Sequence, residues 1–225
     1  MKPKAVVLLS GGLDSATCLS VAVAAGFAPV ALTLDYGQRH RVELTRAAAL
    51  AVSMGADHRV VSVDLRAIGG SALTTDSPVP KNRDIATAAD IPSTYVPARN
   101  TIFLSLALGV AEVVGAQDIY IGVNAVDYSG YPDCRPEFIR AFENLAQWAT
   151  RAGVEGKPFR VRTPLAGLSK GDIIRLAVKL GTPLAATHSC YDPSPNGLAC
   201  GQCDSCKIRR KGFSDAGVSD PTQYE

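Results

Sequence analysis

Near the N-terminus, the stretch AVVLLSGGLDSATCLSVA (5–22) runs an unbroken apolar segment into a glycine pair and then straight into a helical pattern. A strand that is apolar at every position has no face to give to water. It belongs in the middle of a parallel sheet with helices on both sides. Gly11 and Gly12 can adopt positive φ and let main-chain N–H groups approach an anion. The partial positive charge of the helix start adds roughly 0.3–1 kcal/mol for that anion. Ser10 and Ser15 supply hydroxyl donors, so the turn is shaped for phosphate, although a plain strand-to-helix turn is the alternative.

The rest of the chain repeats the same alternation. A helix is expected from about Asp14 to Ala25. PVALTLDYG (29–37) then leads into an alanine-rich helix ending near Gly55, and DHRVVSVDL (57–65) forms a third strand. An apolar helix beginning near Ala98 precedes a fourth strand, DIYIGVN (118–124). In the following helix, RPEFIRAFENLAQWATRAG, helical spacing puts Phe138, Phe142, Leu145 and Trp148 on one face. FRVRTPL (159–165) reads as a short fifth strand. LSKGDIIRLAVKLGTP opens with the capping pair Ser169 and Asp172 and stops at Gly181. The pattern predicts an α/β, Rossmann-like parallel sheet with helices on both faces, over residues 1–186. Residues 66–97, with Pro78, Pro80, Pro92 and Pro97, are too long for a routine connection and are expected to be disordered, a lid or a binding loop. From Thr187 the rhythm dissolves, and 187–225 reads as a small appendage.

Composition narrows the function classes. A net charge of +2 over 225 residues is too small to mark a nucleic-acid surface. The longest apolar run, TIFLSLALGVAEVVGA (101–116), carries Glu112 and two glycines and is too short to span a bilayer. Six cysteines without a secretory signal point to a reducing, cytoplasmic setting in which clustered thiols bind metal. Cys190, Cys200, Cys203 and Cys206, spaced C-x₉-C-x₂-C-x₂-C, fit a closed tetrahedral Zn²⁺ site, which is structural. An iron–sulfur cluster competes for the same ligands. The KIRRK run from Lys207 is placed to offset the thiolate charge. Cys18 is expected in the core, Cys134 is a weak candidate nucleophile, and His188 is left without a ligand role by the four sulfurs. His40 and His58 read as ordinary surface or supporting residues.

The loop string is neither of the common Gly-rich phosphate fingerprints. SGGLDS directly after the first strand resembles the pyrophosphate loop of the N-type ATP pyrophosphatases, a group that includes GMP synthetase, NAD synthetase and tRNA-thiolating enzymes. The resemblance implies an adenine nucleotide alpha-hydrolase type of fold and cleavage between the α- and β-phosphates, giving AMP and pyrophosphate. The ATP-binding stretch is then Leu8, Leu9, Ser10, Gly11, Gly12, Leu13, Asp14, Ser15, Ala16, Thr17 and Cys18. Asp14 beside phosphates calls for a bridging Mg²⁺ carried in with ATP. Lys170, in a stretch shared by several such enzymes, is placed to neutralise charge on the α-phosphate.

Ligands of an open parallel sheet bind beyond the C-terminal strand ends. There, NAVDYSGYPDCRPEF (124–138) offers carboxylates for paired N–H donors and tyrosines for stacking on a planar heterocycle. Arg99 of VPARN can hold a carboxylate in bidentate fashion. In order, SGGLDSAT, DYGQRH, VPARNTIFLSLA, DYSGYPDCRPEF, LSKGDIIRLA, SCYDP and CGQCDSC resemble the 7-cyano-7-deazaguanine synthase family over nearly the whole chain. The resemblance implies ligation of 7-carboxy-7-deazaguanine with ammonia at the expense of ATP, a zinc site of four cysteines and a homodimer, with neither nucleic acid nor membrane as partner. It assigns catalysis to Lys170, Arg99 and Asp14, and the substrate to Arg99, Asn100, Asp127, Tyr128, Tyr131 and Asp133. A tRNA-thiolating pyrophosphatase, an amide-forming ligase related to NAD synthetase and a zinc-stabilised nucleotide-binding module are the rival readings.

Overall fold

The computed structural model describes residues 1–84, 91–124 and 131–225. Five parallel strands, β1 (Lys4–Leu8), β2 (Ala28–Asp35), β3 (Asp57–Ser62), β4 (Asp118–Tyr120) and β5 (Arg160–Arg162), form one sheet in the order β3-β2-β1-β4-β5. Seven α-helices are described: α1 (Leu13–Ala24), α2 (Val42–Ser53), α3 (Arg99–Val114), α4 (Pro136–Ala149), α5 (Arg151–Val154), α6 (Lys170–Lys179) and α7 (Asp204–Ala216).

The first strand behaves as its composition requires. Ala5, Val7 and Leu9 enter one core with Leu19 of α1, Leu50 of α2 and Ile173 of α6. Val6 and Leu8 enter the other with Leu104 of α3 and Phe142 of α4. Both faces of β1 are therefore dry, and the chain reverses its winding direction between β1 and β4. In an open α/β sheet that reversal opens a crevice above the carboxyl ends of the two strands.

Two expectations need correction. The fourth strand spans only Asp118–Tyr120; Ile121 N–H makes a last bond to the Arg162 carbonyl of β5 at 3.0 Å, and residues 122–124 leave the ladder. A Cβ on Gly122 would lie 3.2 Å from the Asp14 carbonyl carbon and from the Ser15 nitrogen, so the chain here runs against the start of α1. The buried face of α4 is Ile139, Phe142 and Ala146, while Leu145 and Trp148 are exposed, Trp148 at 80%. A small residue, Ala146, takes the close approach that the larger side chains cannot. The described parts of the 66–97 connection are packed against the body of the protein. Ala72, Leu73, Val79 and Val96 join the core, Ala72 N–H donates to the Ser93 carbonyl at 2.8 Å, and Lys81 forms an antiparallel bridge with Cys203. Asn82 N–H donates to the Gln202 carbonyl at 3.0 Å, and Arg83 meets Asp204 at 3.3 Å.

Ser169 caps α6 as its spacing predicts. Its Oγ accepts from Asp172 N–H at 3.2 Å and donates to the Asp172 carboxylate at 2.5 Å. The C-terminal segment packs back through α7, where Phe213 meets Leu13 of α1 and Ile174 of α6.

Candidate active site and metal centre

The crevice at the switch point is a cavity of about 290 Å³. Its floor is the loop between β1 and α1. Gly11 has φ +87°, and a Cβ there would sit 2.6 Å from the Glu43 carbonyl oxygen of α2, so only glycine fits. Ser15 Oγ ties the loop together: it accepts from Ser10 N–H at 3.2 Å, lies 3.1 Å from Ser10 Oγ and donates to the Gly12 carbonyl at 3.0 Å. Gly12 N–H reaches Ser10 Oγ at 3.3 Å. His188 N–H, from the C-terminal segment, holds the Gly11 carbonyl at 2.9 Å.

Leu8, Leu9, Ser10, Gly12, Leu13, Asp14 and Ser15 line the cavity. Ala16, Thr17 and Cys18, expected along the nucleotide, turn into the interior instead. Ala16 and Cys18 are wholly buried, and Thr17 Oγ1 donates to the Leu13 carbonyl at 2.8 Å. Lys170, the first residue of α6, places Nζ at 2.9 and 2.8 Å from the two Asp14 carboxylate oxygens. These residues are 156 positions apart in the chain, and the fold joins them beside the glycine loop.

The opposite wall is built on α3. Ala98 takes a left-handed conformation, φ 55°, which turns the chain sharply before Arg99 begins the helix. Burial opposes the charge on Arg99, but Tyr36, Tyr131, Tyr191 and Asp133 outweigh it and hold the guanidinium more firmly protonated than usual. Its Cζ lies 6.0 Å from the Phe103 ring centroid, within cation–π range. Tyr131 Oη is 3.1 Å from Thr94 Oγ1. Asn100 and Tyr131 share the cavity wall. Asp133 stands behind that wall: its Oδ2 accepts from Asn100 N–H at 3.0 Å, capping α3, and its carbonyl accepts from Asn100 Nδ2 at 3.0 Å. Among the described residues its buried Oδ1 has no hydrogen-bond partner. Asp127 and Tyr128 lie outside the described residues.

Other cavity residues carried no role in the sequence reading. Glu43 lines the cavity facing Arg99 and Tyr36. Burial pushes its carboxyl up to about 7 against the pull of Arg99. His188 also lines it, 4% exposed, with Nε2 unpartnered among the described residues; burial, then Arg46 and Arg209, push it down to about 4. Nothing local marks either residue, since each is defined by neighbours distant in sequence. His40 reaches the rim 3.4 Å from Asp192, while His58 pairs with Thr33 at 2.9 Å across β2 and β3. Cys134 is buried and its thiol is pushed up to about 11, the reverse of an activated nucleophile.

The four cysteines converge. Their sulfurs all lie within 4.8 Å of one another and all four residues are buried. Asp192 N–H and Cys200 N–H point at Cys190 Sγ at 3.3 Å each, and Cys203 N–H points at Cys200 Sγ at 3.4 Å. Main-chain donors aimed at buried sulfurs favour thiolates, so the quartet can hold a metal ion. Cys203 is the N-cap of α7. The basic run has partners of its own: Lys207 donates to the Arg83 carbonyl at 2.8 Å, Arg209 pairs with Asp220 at 3.0 Å, and Arg210 lies over the Tyr224 ring at 3.8 Å. Among the described residues no helix is long and apolar enough to cross a membrane.

Comparison with known proteins bears on the whole chain. The family described as "Queuosine biosynthesis protein QueC" matches residues 4–217. A 7-cyano-7-deazaguanine synthase of Myxococcus xanthus is 65% identical over 226 aligned positions, covering 100% of this chain and 98% of that one. The synthase of Syntrophotalea carbinolica is 64% identical with 100% and 97% covered. Among solved structures, a predicted subunit of tRNA methyltransferase from Methanocaldococcus jannaschii superposes with a TM-score of 0.52 at 16% identity, covering 99% of this chain and 92% of that one. NMN synthetase from Francisella tularensis gives 0.50 at 18%, covering 97% and 78%. The two structures establish a shared fold. With a family match over nearly its full length and relatives of such high identity, the chain belongs to the QueC family of queuosine biosynthesis proteins.

Proposed function

We propose that this chain is an ATP-dependent carbon–nitrogen ligase that converts 7-carboxy-7-deazaguanine and ammonia to 7-cyano-7-deazaguanine, releasing AMP and pyrophosphate. The observation that carries the reading is the pairing of two walls in one cavity. The glycine loop, Asp14 and Lys170 form one wall, Arg99, Asn100 and Tyr131 the other, in a chain 65% identical to a curated 7-cyano-7-deazaguanine synthase.

A carboxylate is inert to ammonia because its leaving group would be oxide. The main-chain amides of the loop bind the pyrophosphate end of ATP, and Arg99 turns the substrate carboxylate toward the α-phosphate. The carboxylate oxygen attacks phosphorus, pyrophosphate leaves, and Lys170, drawn off Asp14, faces the charge that gathers on the α-phosphate oxygens. Ammonia then displaces AMP to give the amide. A second adenylation on the amide oxygen lets AMP depart again, with loss of the remaining amide protons, to leave the nitrile. Asp14 is the acidic side chain beside the loop, and one carboxylate plus phosphate oxygens suits Mg²⁺ bound with ATP. The all-thiol, buried quartet fits Zn²⁺, which in a closed four-sulfur site stabilises the fold. We further read residues 187–225 as an appendage to the 1–186 body, the protein as a cytoplasmic homodimer, and its substrates as small molecules.

The test is incubation with Mg-ATP, ammonium and 7-carboxy-7-deazaguanine, following nucleotides and base by mass spectrometry. AMP and a nitrile product are expected. ADP, or a base that never loses its carboxyl oxygens, overturns the proposal, and a product that stops at the amide points to an amide-forming ligase.

A further inference from the structure

Gly212 lies within α7, where glycine costs a helix roughly 0.5–1 kcal/mol relative to alanine. Its φ is not positive, so the backbone has no need of glycine. The need is for space. A Cβ at 212 would overlap Lys170 Cγ, lie 2.9 Å from Lys170 Cβ and 3.0 Å from Ile174 Cδ1. The stem of Lys170 thus runs across the bare backbone of α7 before its ammonium reaches Asp14. Atoms at the root of a side chain cannot swing aside as its tip can, so any larger residue at 212 must redirect the whole lysine or separate α6 from α7. The helix carrying Gly212 is held at its start by Cys203 and Cys206 of the sulfur quartet and farther along by buried Arg209. Arg209 donates to Ser189 Oγ at 3.4 Å, and that oxygen accepts from Leu13 N–H at 3.4 Å, at the glycine loop itself.

We propose that Gly212 is a positioning residue for Lys170: its missing side chain is the groove that aims the ammonium at the nucleotide loop. This rests on the role given to Lys170 above, and it adds that the C-terminal helix sets the geometry of the reacting centre.

A double-mutant cycle tests it in the full-length, metal-loaded protein. Lys170→Ala should lower kcat by about 100-fold. Gly212→Ala should lower it by a similar factor, since an ångström of misplacement costs about 100-fold. KM for ATP should stay within about twofold, because the loop that binds pyrophosphate is untouched. The pair together should be no worse than Lys170→Ala alone. Gly171→Ala is the control, since its Cβ would press on Asp215 Cβ at 3.1 Å, in the contact between the same two helices. It should keep near-normal kcat. If Lys170→Ala is impaired but Gly212→Ala is fully active, the positioning role falls alone. It also falls if the two losses multiply, or if Gly171→Ala is equally impaired. Wild-type turnover in Lys170→Ala would instead remove Lys170 from the reaction. Should Gly212→Ala not accumulate as folded protein, the cycle is run in Ile174→Val, which removes Cδ1; failure there too makes the contact purely structural and withdraws the proposal.

Discussion

Lys170 Nζ contacts both carboxylate oxygens of Asp14, at 2.9 and 2.8 Å, beside the glycine loop. Two opposite charges thus neutralise each other at the cavity wall. Asp14 is only 29% exposed at its side chain and Lys170 14%, so the pair is held in place and poorly screened by water.

Replacing Asp14 should uncouple binding chemistry from folding. Asp14→Ala is expected to fold, with a melting temperature lowered by a few degrees as Lys170 loses its partner. AMP release should fall by about 100-fold or more, on the scale of a lost electrostatic stabiliser. Thermal melts and AMP formation, measured side by side, check both halves; full AMP release would remove Asp14 from the site.

The sulfur quartet should be a large stabilising feature. Cys200→Ser, or chelation of the purified protein, is expected to lower the melting temperature by about 10 °C or more, because metal binding free energy is folding free energy. Elemental analysis after anaerobic purification should give one zinc per chain. Iron with visible absorbance would replace zinc by an iron–sulfur cluster.

Glu43 makes stability depend on pH. Its carboxyl is raised from an ordinary 4.5 to about 7 by burial, Arg99 pulling the other way. In this range the folded protein binds the proton more tightly than the unfolded chain. The favourable contribution is therefore complete below pH 4.5 and is lost as pH rises through about 7. Glu43→Gln should match the wild type near pH 4.5 and exceed it at pH 8 by about 3 kcal/mol. Denaturant titrations across that range measure the difference, and parallel curves would show that Glu43 is solvated.

The cap of α6 should matter twice. Ser169→Ala removes the acceptor for Asp172 N–H and should cost about 1 kcal/mol. It also frays the turn that begins with Lys170, so turnover should fall more than stability alone explains. Comparing kcat well below the melting temperature with the measured loss of stability separates the two effects.

Elements whose signal is local could be read in advance. β1 declared itself through apolar residues on both faces, and α6 through Ser169 and Asp172. The glycine loop was legible because Gly11 carries a backbone demand, and the cysteine quartet because its spacing is a metal spacing. Where a side chain's surroundings come from distant parts of the chain, the reading failed. Hydrophobicity picked Leu145 and Trp148 for the inner face of α4, but the tight contact belongs to Ala146. Glu43 and His188 acquire their character from burial first, opposed by Arg99 at Glu43 and reinforced by Arg46 and Arg209 at His188, and no window along the sequence shows that packing.

The bridge between Lys81 and Cys203, with Asn82 on Gln202 and Arg83 on Asp204, stitches two stretches some 121 positions apart into a single fabric at the sulfur knot. Stripping that knot should loosen both at once, so a protease would nick the proline-rich connection and the C-terminal tail in the same step.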